Sequence, residues 1–164
     1  MALHGFHALH LLGGGQGGGL TVWVTATDKG IARIDFRKHR GWKSQSGSPR
    51  AHRVLAQFKR ELMLWSQGRL KRFHTPCDLT GLTPFTRRVL MALARAQRKT
   101  LSYKDLARLA GSPKAARAVG GAMARNPVPI LIPCHLVLAS GGGLGGFSGG
   151  LAMKKRLLSM DGCA

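Results

Sequence analysis

Acidic residues are scarce in this sequence of 164 residues. Only six Asp and Glu stand against 26 Lys and Arg, which gives a formal net charge of +20 and a pI near 11.7. Such an excess favours a polyanionic partner, because cations that neutralise phosphates release condensed counterions. The alternative is a generally basic surface without such a partner. We favour nucleic acid, since the cations are spread along the chain and are not confined to a tail.

Cysteine is also sparse. It occurs three times, without a CxxC pair, at Cys77, Cys134 and Cys163. The odd count excludes a disulfide framework and a four-cysteine zinc site, and it favours a reducing, intracellular setting. His4, His7 and His10 are spaced by three residues, but no carboxylate or thiol lies near them. We therefore predict no metal site and no cofactor.

Long hydrophobic runs are absent from the sequence. No apolar stretch approaches the roughly 18–20 residues of a membrane-spanning helix. The short apolar patch Phe6 to Leu12 is flanked by histidine and glycine, whereas a secretory signal begins with basic residues. We therefore expect no membrane partner and a cytoplasmic location.

The first half of the chain has the pattern of a small α/β domain at residues 20–75. Glycines dominate residues 13–19, so residues 1–19 are expected to be a flexible Gly/His-rich N-terminus. The runs Leu20 to Ala26 and Ile31 to Phe36 alternate apolar and polar residues around a turn, which predicts a β-hairpin. Apolar residues then recur at helical spacing over Val54 to Leu64. Irregular residues 68–82 mark the predicted domain boundary.

The second half, residues 83–164, has the pattern of a helical DNA-binding domain. Thr83 and Pro84 begin one helix, and Ser102 caps a second over Tyr103 to Ala110. A third is predicted over Lys114 to Met123 after Gly111, which gives a helix-turn-helix pattern. This third helix is poor in side-chain bulk, which suits either tight helix packing or a nucleic-acid groove. Arg117, a long cation on a helix of otherwise small side chains, favours the groove.

The stretch around Cys134 carries the chemistry. Three prolines in NPVPILIPCH predict a rigid, buried, extended segment that ends at the thiol. His135 is the candidate base, although neighbours in an extended strand point to opposite faces, so their contact needs a bent backbone or a bridging water. Asp161 is the candidate acid that orients the imidazole, because it follows Cys134 at the end of a predicted helix, Leu151 to Met160.

These residues resemble a known family. The strings SYKDLARLAGSPKAARAVGGAMARNPVPILIPCH, FSGG and KKRLLSMDG closely resemble the O6-alkylguanine-DNA alkyltransferases. The resemblance is strong from about Thr83 to Gly162 and weaker over the hairpin TDKGIARIDF. The Pro-Cys-His motif within NPVPILIPCH is its most specific part.

The resemblance implies a two-domain α+β protein, with a ribonuclease H-like N-terminal domain and a winged-helix-like C-terminal domain. Its implied partner is double-stranded DNA containing O6-alkylguanine, whose damaged base is flipped out of the duplex. The protein then transfers the alkyl group irreversibly to its own cysteine, once per molecule. We expect a monomer, associated with the nucleoid in a prokaryote or nuclear in a eukaryote. The alternatives are a non-repairing alkylation-damage sensor and a basic helix-turn-helix DNA-binding protein.

The resemblance also implies residue roles. Cys134 is the alkyl acceptor, His135 removes its proton through a water with Asp161 behind it, and Asn126 organises the active-site turn. Arg117 fills the gap left by the flipped base. The other substrate and DNA contacts that it implies are Tyr103, Ala116, Ala118, Gly120, Gly121, Val137, Phe147, Ser148 and Gly149.

The sequence departs from the family pattern at three positions. Leu136 follows the Cys-His pair where the family usually has arginine. Asp161 replaces the usual glutamate and is one methylene shorter. Phe147 replaces a common tyrosine and lacks its hydroxyl.

Overall fold

The computed structural model of the chain describes residues 6–11, 19–38, 47–96 and 99–163. The chain divides into two compact units, Met1–Thr80 (unit 1) and Gly81–Ala164 (unit 2). Within these described ranges, unit 1 combines a three-stranded sheet with a helix, and unit 2 combines four α-helices with a two-stranded sheet. The architecture is therefore α+β. None of the helices in the described ranges is long and apolar enough to cross a membrane.

The sheet of unit 1 is antiparallel, with strands in the order β1 (Phe6–Leu11), β2 (Leu20–Thr27) and β3 (Gly30–Asp35). The β2–β3 hairpin confirms the alternation that predicted it, and its register shifts at a bulge between Thr25 and Ala26.

Strand β1 corrects the expectation that residues 1–19 are flexible throughout. Its six residues pair with β2, from Phe6 opposite Thr25 to Leu11 opposite Leu20. Without it, one side of β2 would expose a row of unpaired N–H and C=O groups, and the pairing satisfies them. The glycine-rich residues 12–18 and the side chains of His4, His7 and His10 lie outside the described part of the structure.

Gly30 follows the turn of the hairpin and makes a close approach that only glycine allows. Its φ is +151°, and a Cβ atom at this position would lie 2.5 Å from the carbonyl oxygen of Pro76. The neighbouring Ile31 N–H donates to that same carbonyl at 2.9 Å, and Asp78 N–H donates to Ile31 O at 2.8 Å. The segment around residue 77 is thereby held against β3.

Helix α1 (Pro49–Ser66) covers the sheet. Ser48 caps its N-terminus by accepting a hydrogen bond from Ala51 N–H at 3.0 Å, and Pro49 occupies the first turn. The face predicted to be apolar is buried, which confirms the periodicity. The buried residues of this face are Ala51, Val54, Leu55, Phe58, Glu61, Leu62 and Trp65.

Glu61 is the one acid on that buried face, and it ties the chain that follows the helix back onto α1. Its carboxylate accepts hydrogen bonds from Gln57 Nε2 at 2.9 Å, His74 N–H at 3.0 Å, Thr75 N–H at 3.0 Å and Thr75 Oγ1 at 2.8 Å. Burial raises the pKa of Glu61, but these hydrogen bonds outweigh it and leave the pKa below the ordinary 4.5.

Unit 2 contains the helices α2 (Pro84–Arg95), α3 (Tyr103–Leu109), α4 (Ala116–Ala124) and α5 (Leu151–Met160). Thr83 and Ser102 cap α2 and α3, as their positions in the sequence predict. Helices α2, α3 and α4 pack against one another. Strand β4 (Leu101–Ser102) pairs in parallel with β5 (Val137–Leu138), which brings the start of α3 beside the end of the Pro-Cys-His segment.

Helix α4 begins later than the predicted Lys114. A turn bonded from Ala115 N–H to Ser112 O at 2.9 Å precedes it, and the helix starts at Ala116 without a side-chain cap. Gly111, at φ +69°, makes the sharp break after α3. The backbone carbonyl of Ser112 therefore takes part in the turn, and no side chain caps the helix.

We predict that Glu61→Gln destabilises the protein. Since the folded-state pKa of Glu61 is lowered, its stabilisation is full above the unfolded-state pKa and is lost as the pH falls through the folded-state value. The substitution should cost about 2–3 kcal/mol at neutral pH, and the difference from the parent should shrink in acid. Urea unfolding at several pH values measures it. Lys59→Gln, exposed on the same helix, is the control, and an equal effect there would refute this role of Glu61.

Candidate active site

A compact turn presents the thiol, and it differs from the extended segment predicted for this stretch. Residues 127–133 form successive turns, with Ile132 N–H donating to Val128 O at 2.9 Å and Cys134 N–H to Ile132 O at 2.8 Å. The segment is buried as predicted. Proline fixes φ without fixing ψ, so three prolines are compatible with turns as well as with an extended chain.

Asn126 closes this turn from within. Its Nδ2 donates to Ile132 O at 2.8 Å, and its Oδ1 accepts from Val128 N–H at 3.1 Å. Between these contacts Ile130 adopts φ +73°, a left-handed conformation that costs a β-branched residue on the order of 1–3 kcal/mol. Ile130 is fully buried, so packing holds it in this conformation.

Cys134 and His135 begin a short 3₁₀ turn, Cys134–Leu136. The backbone is bent here, so the side chains of Cys134 and His135 are not forced to opposite faces as they would be in an extended strand. Cys134 is 5% exposed. Burial raises the pKa of the Cys134 thiol, while the Asn126 side chain, the backbone N–H groups of residues 134 and 135 and the charge of Lys154 act in the opposite direction.

His135 is held by Asp161. The two side chains are buried, and His135 Nε2 lies 2.7 Å from Asp161 Oδ2. Asp161 is the residue at the end of α5, where its N–H bonds to Leu157 O at 3.1 Å. The shorter aspartate therefore reaches the imidazole, because the helix ends close to it.

A cavity of about 400 Å³ adjoins the thiol. Its lining combines Cys134 with residues of α3, α4 and the glycine-rich loop, residues 139–150. The lining residues are Tyr103, Gly120, Met123, Ala124, Cys134, Gly146, Phe147 and Ser148. Five of them are predicted site residues, whereas the sequence did not predict Met123, Ala124 and Gly146 as part of the site.

Tyr103 fixes the glycine-rich loop at the cavity. Burial and then the nearby Cys134 raise the pKa of Tyr103, and the backbone N–H of Gly146 opposes that shift. A Cβ atom added to Gly145, at φ +64°, would lie 3.0 Å from the Tyr103 hydroxyl. The loop therefore needs glycine both for its conformation and for its contact with the ring.

The remaining predicted residues lie outside the cavity lining. Arg117 and Ala118 are exposed on α4, and Ala116 and Gly121 are partly exposed there. Val137 is buried, and Gly149 is partly exposed in the loop. Leu136, at the position of the family's usual arginine, is fully buried, which makes it part of the core.

Lys154 is a further functional candidate that the sequence did not predict. Its side chain is 0% exposed, and its ammonium donates to Val137 O at 2.6 Å and to Leu144 O. Burial lowers the pKa of Lys154, and the neighbouring Cys134 opposes that shift. Its position on the same face of α5 as the buried Leu157 and Leu158 is the sequence signal that could have found it.

Within the described ranges, no cluster of three or more His, Cys, Asp or Glu side chains could hold a metal ion. The chemistry available to this site from its own residues is that of a buried thiol beside a carboxylate-bound imidazole, facing a cavity of ligand size.

Comparisons with known proteins agree with this arrangement. Residues 84–163 match the family model described as 6-O-methylguanine DNA methyltransferase, DNA binding domain. The human methylated-DNA–protein-cysteine methyltransferase is 59% identical over 80 residues, which are 48% of this chain and 39% of the human protein. The chain thus spans less than half the length of that relative.

Other relatives align over more of the chain. The Mycobacterium leprae methylated-DNA–protein-cysteine methyltransferase is 38% identical over 122 residues, 74% of this chain and 70% of that protein. The crystal structure of Mycobacterium tuberculosis OGT in complex with DNA superposes with a TM-score of 0.73 at 30% identity, covering 88% of each chain. With the family model matching the half that carries the thiol, the chain belongs to the methylated-DNA–protein-cysteine methyltransferase family.

Proposed function

We propose that the protein repairs DNA by transferring the alkyl group of O6-alkylguanine to Cys134, once per molecule. The observation that carries this proposal is the thiol at the wall of a cavity of about 400 Å³, next in sequence to an imidazole bound to a buried carboxylate. A thiol in that position can act as a nucleophile on a base that enters the cavity. The relatives' names and the DNA complex of the mycobacterial structure support the same activity.

The reaction balances within the site. The thiol proton passes to His135 at Nδ1, through a water, since Asp161 occupies Nε2. The sulfur attacks the alkyl carbon, a carbon–sulfur bond forms, and the carbon–O6 bond breaks with its electron pair going to the guanine. The departing guanine takes up one proton from water, and His135 returns the proton that it accepted to the solvent, so the number of protons is unchanged. The thioether is stable, so the protein is consumed.

Asp161 then acts by stabilising the imidazolium formed in the first step and by fixing the orientation of the ring. Asn126 acts indirectly: it closes the turn from which Cys134 projects and so positions the thiol. Tyr103, Phe147 and Ser148 line the space for the base, with Phe147 offering a ring face without a hydroxyl.

Duplex DNA is the proposed partner, and the target base must leave the stack to reach Cys134. Exposed Arg117 on the sparsely substituted α4 suits the role of filling the vacated position. The nearby backbone of Ala116, Ala118, Gly120 and Gly121 would approach the minor groove. Val137 and Gly149 are proposed to bind the base and its alkyl group. A protein with this substrate acts where the DNA is, in the nucleoid or the nucleus.

We also propose the finer fold assignment. The antiparallel sheet covered by α1 supports a ribonuclease H-like domain at residues 20–75, and the α3–α4 pair supports a winged-helix-like domain at residues 83–164. The protein is proposed to act as a monomer, since single-use chemistry needs one thiol and one flipped base.

Transfer to Cys134 is tested directly by mass. After incubation with duplex DNA containing O6-methylguanine, we expect the parent protein to gain one methyl group, mapped to the peptide with Cys134. Cys134→Ser should gain none, and Cys163→Ser, which removes an exposed thiol, should gain as much as the parent. Methylation of Cys134→Ser would refute this assignment of the acceptor, and an unmethylated parent would refute the proposed function.

We predict that Asp161→Asn slows transfer by about 10²-fold or more, because the amide cannot stabilise the imidazolium. Single-turnover rates on methylated duplex at saturating protein measure the chemical step. Asp105→Asn, at the other acid of unit 2, is the control and is expected to react close to the parent rate. Equal rates in Asp161→Asn and the parent would exclude Asp161 from the mechanism.

We predict that Lys154→Met both destabilises the protein and slows transfer. The buried Val137 carbonyl and the partly buried Leu144 carbonyl lose their donor, which should cost about 2–3 kcal/mol. Misplacement of the loop at the cavity should slow the reaction by about 10²-fold. Lys155→Met, at the exposed neighbour on α5, should change neither quantity, as chemical denaturation and single-turnover rates will report. Parent-like values for Lys154→Met would contradict this role.

A further inference from the structure

Unit 1 carries a strongly basic surface that the proposed chemistry does not use. Helix α1 buries one side against the sheet and exposes the other, and the exposed side has cations but no acid. Further exposed cations follow directly after the helix. We call this set the α1 basic face: Arg50, Arg53, Lys59, Arg60, Arg69, Lys71 and Arg72.

Helical geometry groups the first of these residues. Arg53 and Arg60 are seven residues apart, which is nearly two turns, so they project from the same side of α1. Lys59 adjoins Arg60, whereas the aromatic side chains of Phe58 and Trp65 are buried on the opposite side. The cations of α1 run from Arg50 to Arg60, about 15 Å along the helix axis, so they are spread along the helix rather than clustered at one point.

The segment after α1 is fixed beside the helix, which keeps its cations with the others. The ring of Phe73 packs on Phe58 and Trp65, with centroid separations of 5.9 and 6.1 Å. Glu61 accepts hydrogen bonds from the backbone N–H groups of His74 and Thr75. Lys71 and Arg72 are thereby presented next to α1 by an ordered backbone.

The carboxylates of unit 1 do not neutralise this surface. Glu61 and Asp78 accept hydrogen bonds from threonine side chains and backbone N–H groups. Asp28 accepts a hydrogen bond from Ser48, and Asp35 forms an ion pair with Arg33. Among the described residues, no ion pair joins the α1 basic face to a carboxylate. Its seven positive charges therefore face solvent uncompensated.

We propose that the α1 basic face binds the phosphate backbone of duplex DNA, as a contact additional to the cavity and α4. The identity of the partner rests on the proposed function, which brings duplex DNA to the protein. Phosphate contacts are independent of base sequence and need cations alone, and cations are what this surface offers.

Other partners fit the surface less well. An interfacial membrane helix inserts apolar side chains, but the only large hydrophobic residue exposed on α1 is Met63, at 49%. Protein interfaces are enriched at their centres in aromatic residues, and those of α1 are buried in unit 1. The chemistry of the surface thus selects a polyphosphate.

The test uses the full chain carrying Arg53→Gln, Lys59→Gln and Arg60→Gln together. Glutamine is a good helix former and the three positions are exposed, so the fold should be kept. Binding to an unmodified duplex is measured over a salt series. Each lost phosphate contact reduces the slope of log K against log salt by about 0.9, so we expect a slope flatter by about 2–3.

The matched control removes the same charge from the hairpin side of unit 1, with Lys29→Gln, Arg37→Gln and Lys38→Gln. It should leave the slope near that of the parent. A parent-like slope in the α1 variant, or equal flattening in the control, would overturn the proposal. So would loss of binding to anionic vesicles in the α1 variant without any change on DNA.

A second readout separates this proposal from the proposed function. Alkyl transfer from free O6-benzylguanine needs the cavity but no phosphate contact, and it should proceed at the parent rate in the α1 variant. If the parent itself transfers no alkyl group, the proposed function fails, whereas the salt slope on unmodified DNA still reports on the α1 basic face. A slowed reaction with the free base would mean that the triple substitution disturbs the fold. In that case the salt slope on unmodified DNA is measured instead with the double variant Arg53→Gln and Arg60→Gln.

Discussion

The buried ammonium of Lys154 is the contact on which the geometry of the site depends. It joins three parts of unit 2, because α5 carries it while its acceptors lie in β5 and in the glycine-rich loop. The same helix ends at Asp161, which holds His135. Loop, strand and imidazole are therefore positioned by a single ten-residue helix. A charged group is suited to this task, since its hydrogen bonds to carbonyls are stronger than those of a neutral donor.

Much of the fold follows from the sequence because local rules agree with the tertiary structure. Alternation predicts the hairpin, helical spacing predicts the buried face of α1, and Thr83 and Ser102 predict the starts of two helices. The sequence also predicts the pairing of His135 with Asp161, because Asp161 is the only acid that follows Cys134 in the chain. These features depend on residue type and spacing, which are visible in the chain.

The rest depends on long-range contacts that spacing does not reveal. A left-handed isoleucine at residue 130 runs against local preference, and it exists only because Asn126 and the surrounding core impose the turn. From its residue type Lys154 would be predicted to face solvent. Instead it is buried, because its ammonium hydrogen-bonds to two carbonyls that are distant in sequence. Strand β1 depends on an unpaired edge of β2, and apolar periodicity gives no sign of it.

The burial of the Cys134 thiol, which raises its pKa, has a consequence for its reactivity towards oxidants. Oxidants such as peroxides react with thiolates, and a cysteine that is enclosed and has a raised pKa offers them little thiolate. Under the proposed function each molecule acts once, so oxidation of its sulfur would remove its whole capacity. On that proposal, the core around Cys134 protects the thiol from oxidation until a base enters the cavity beside it.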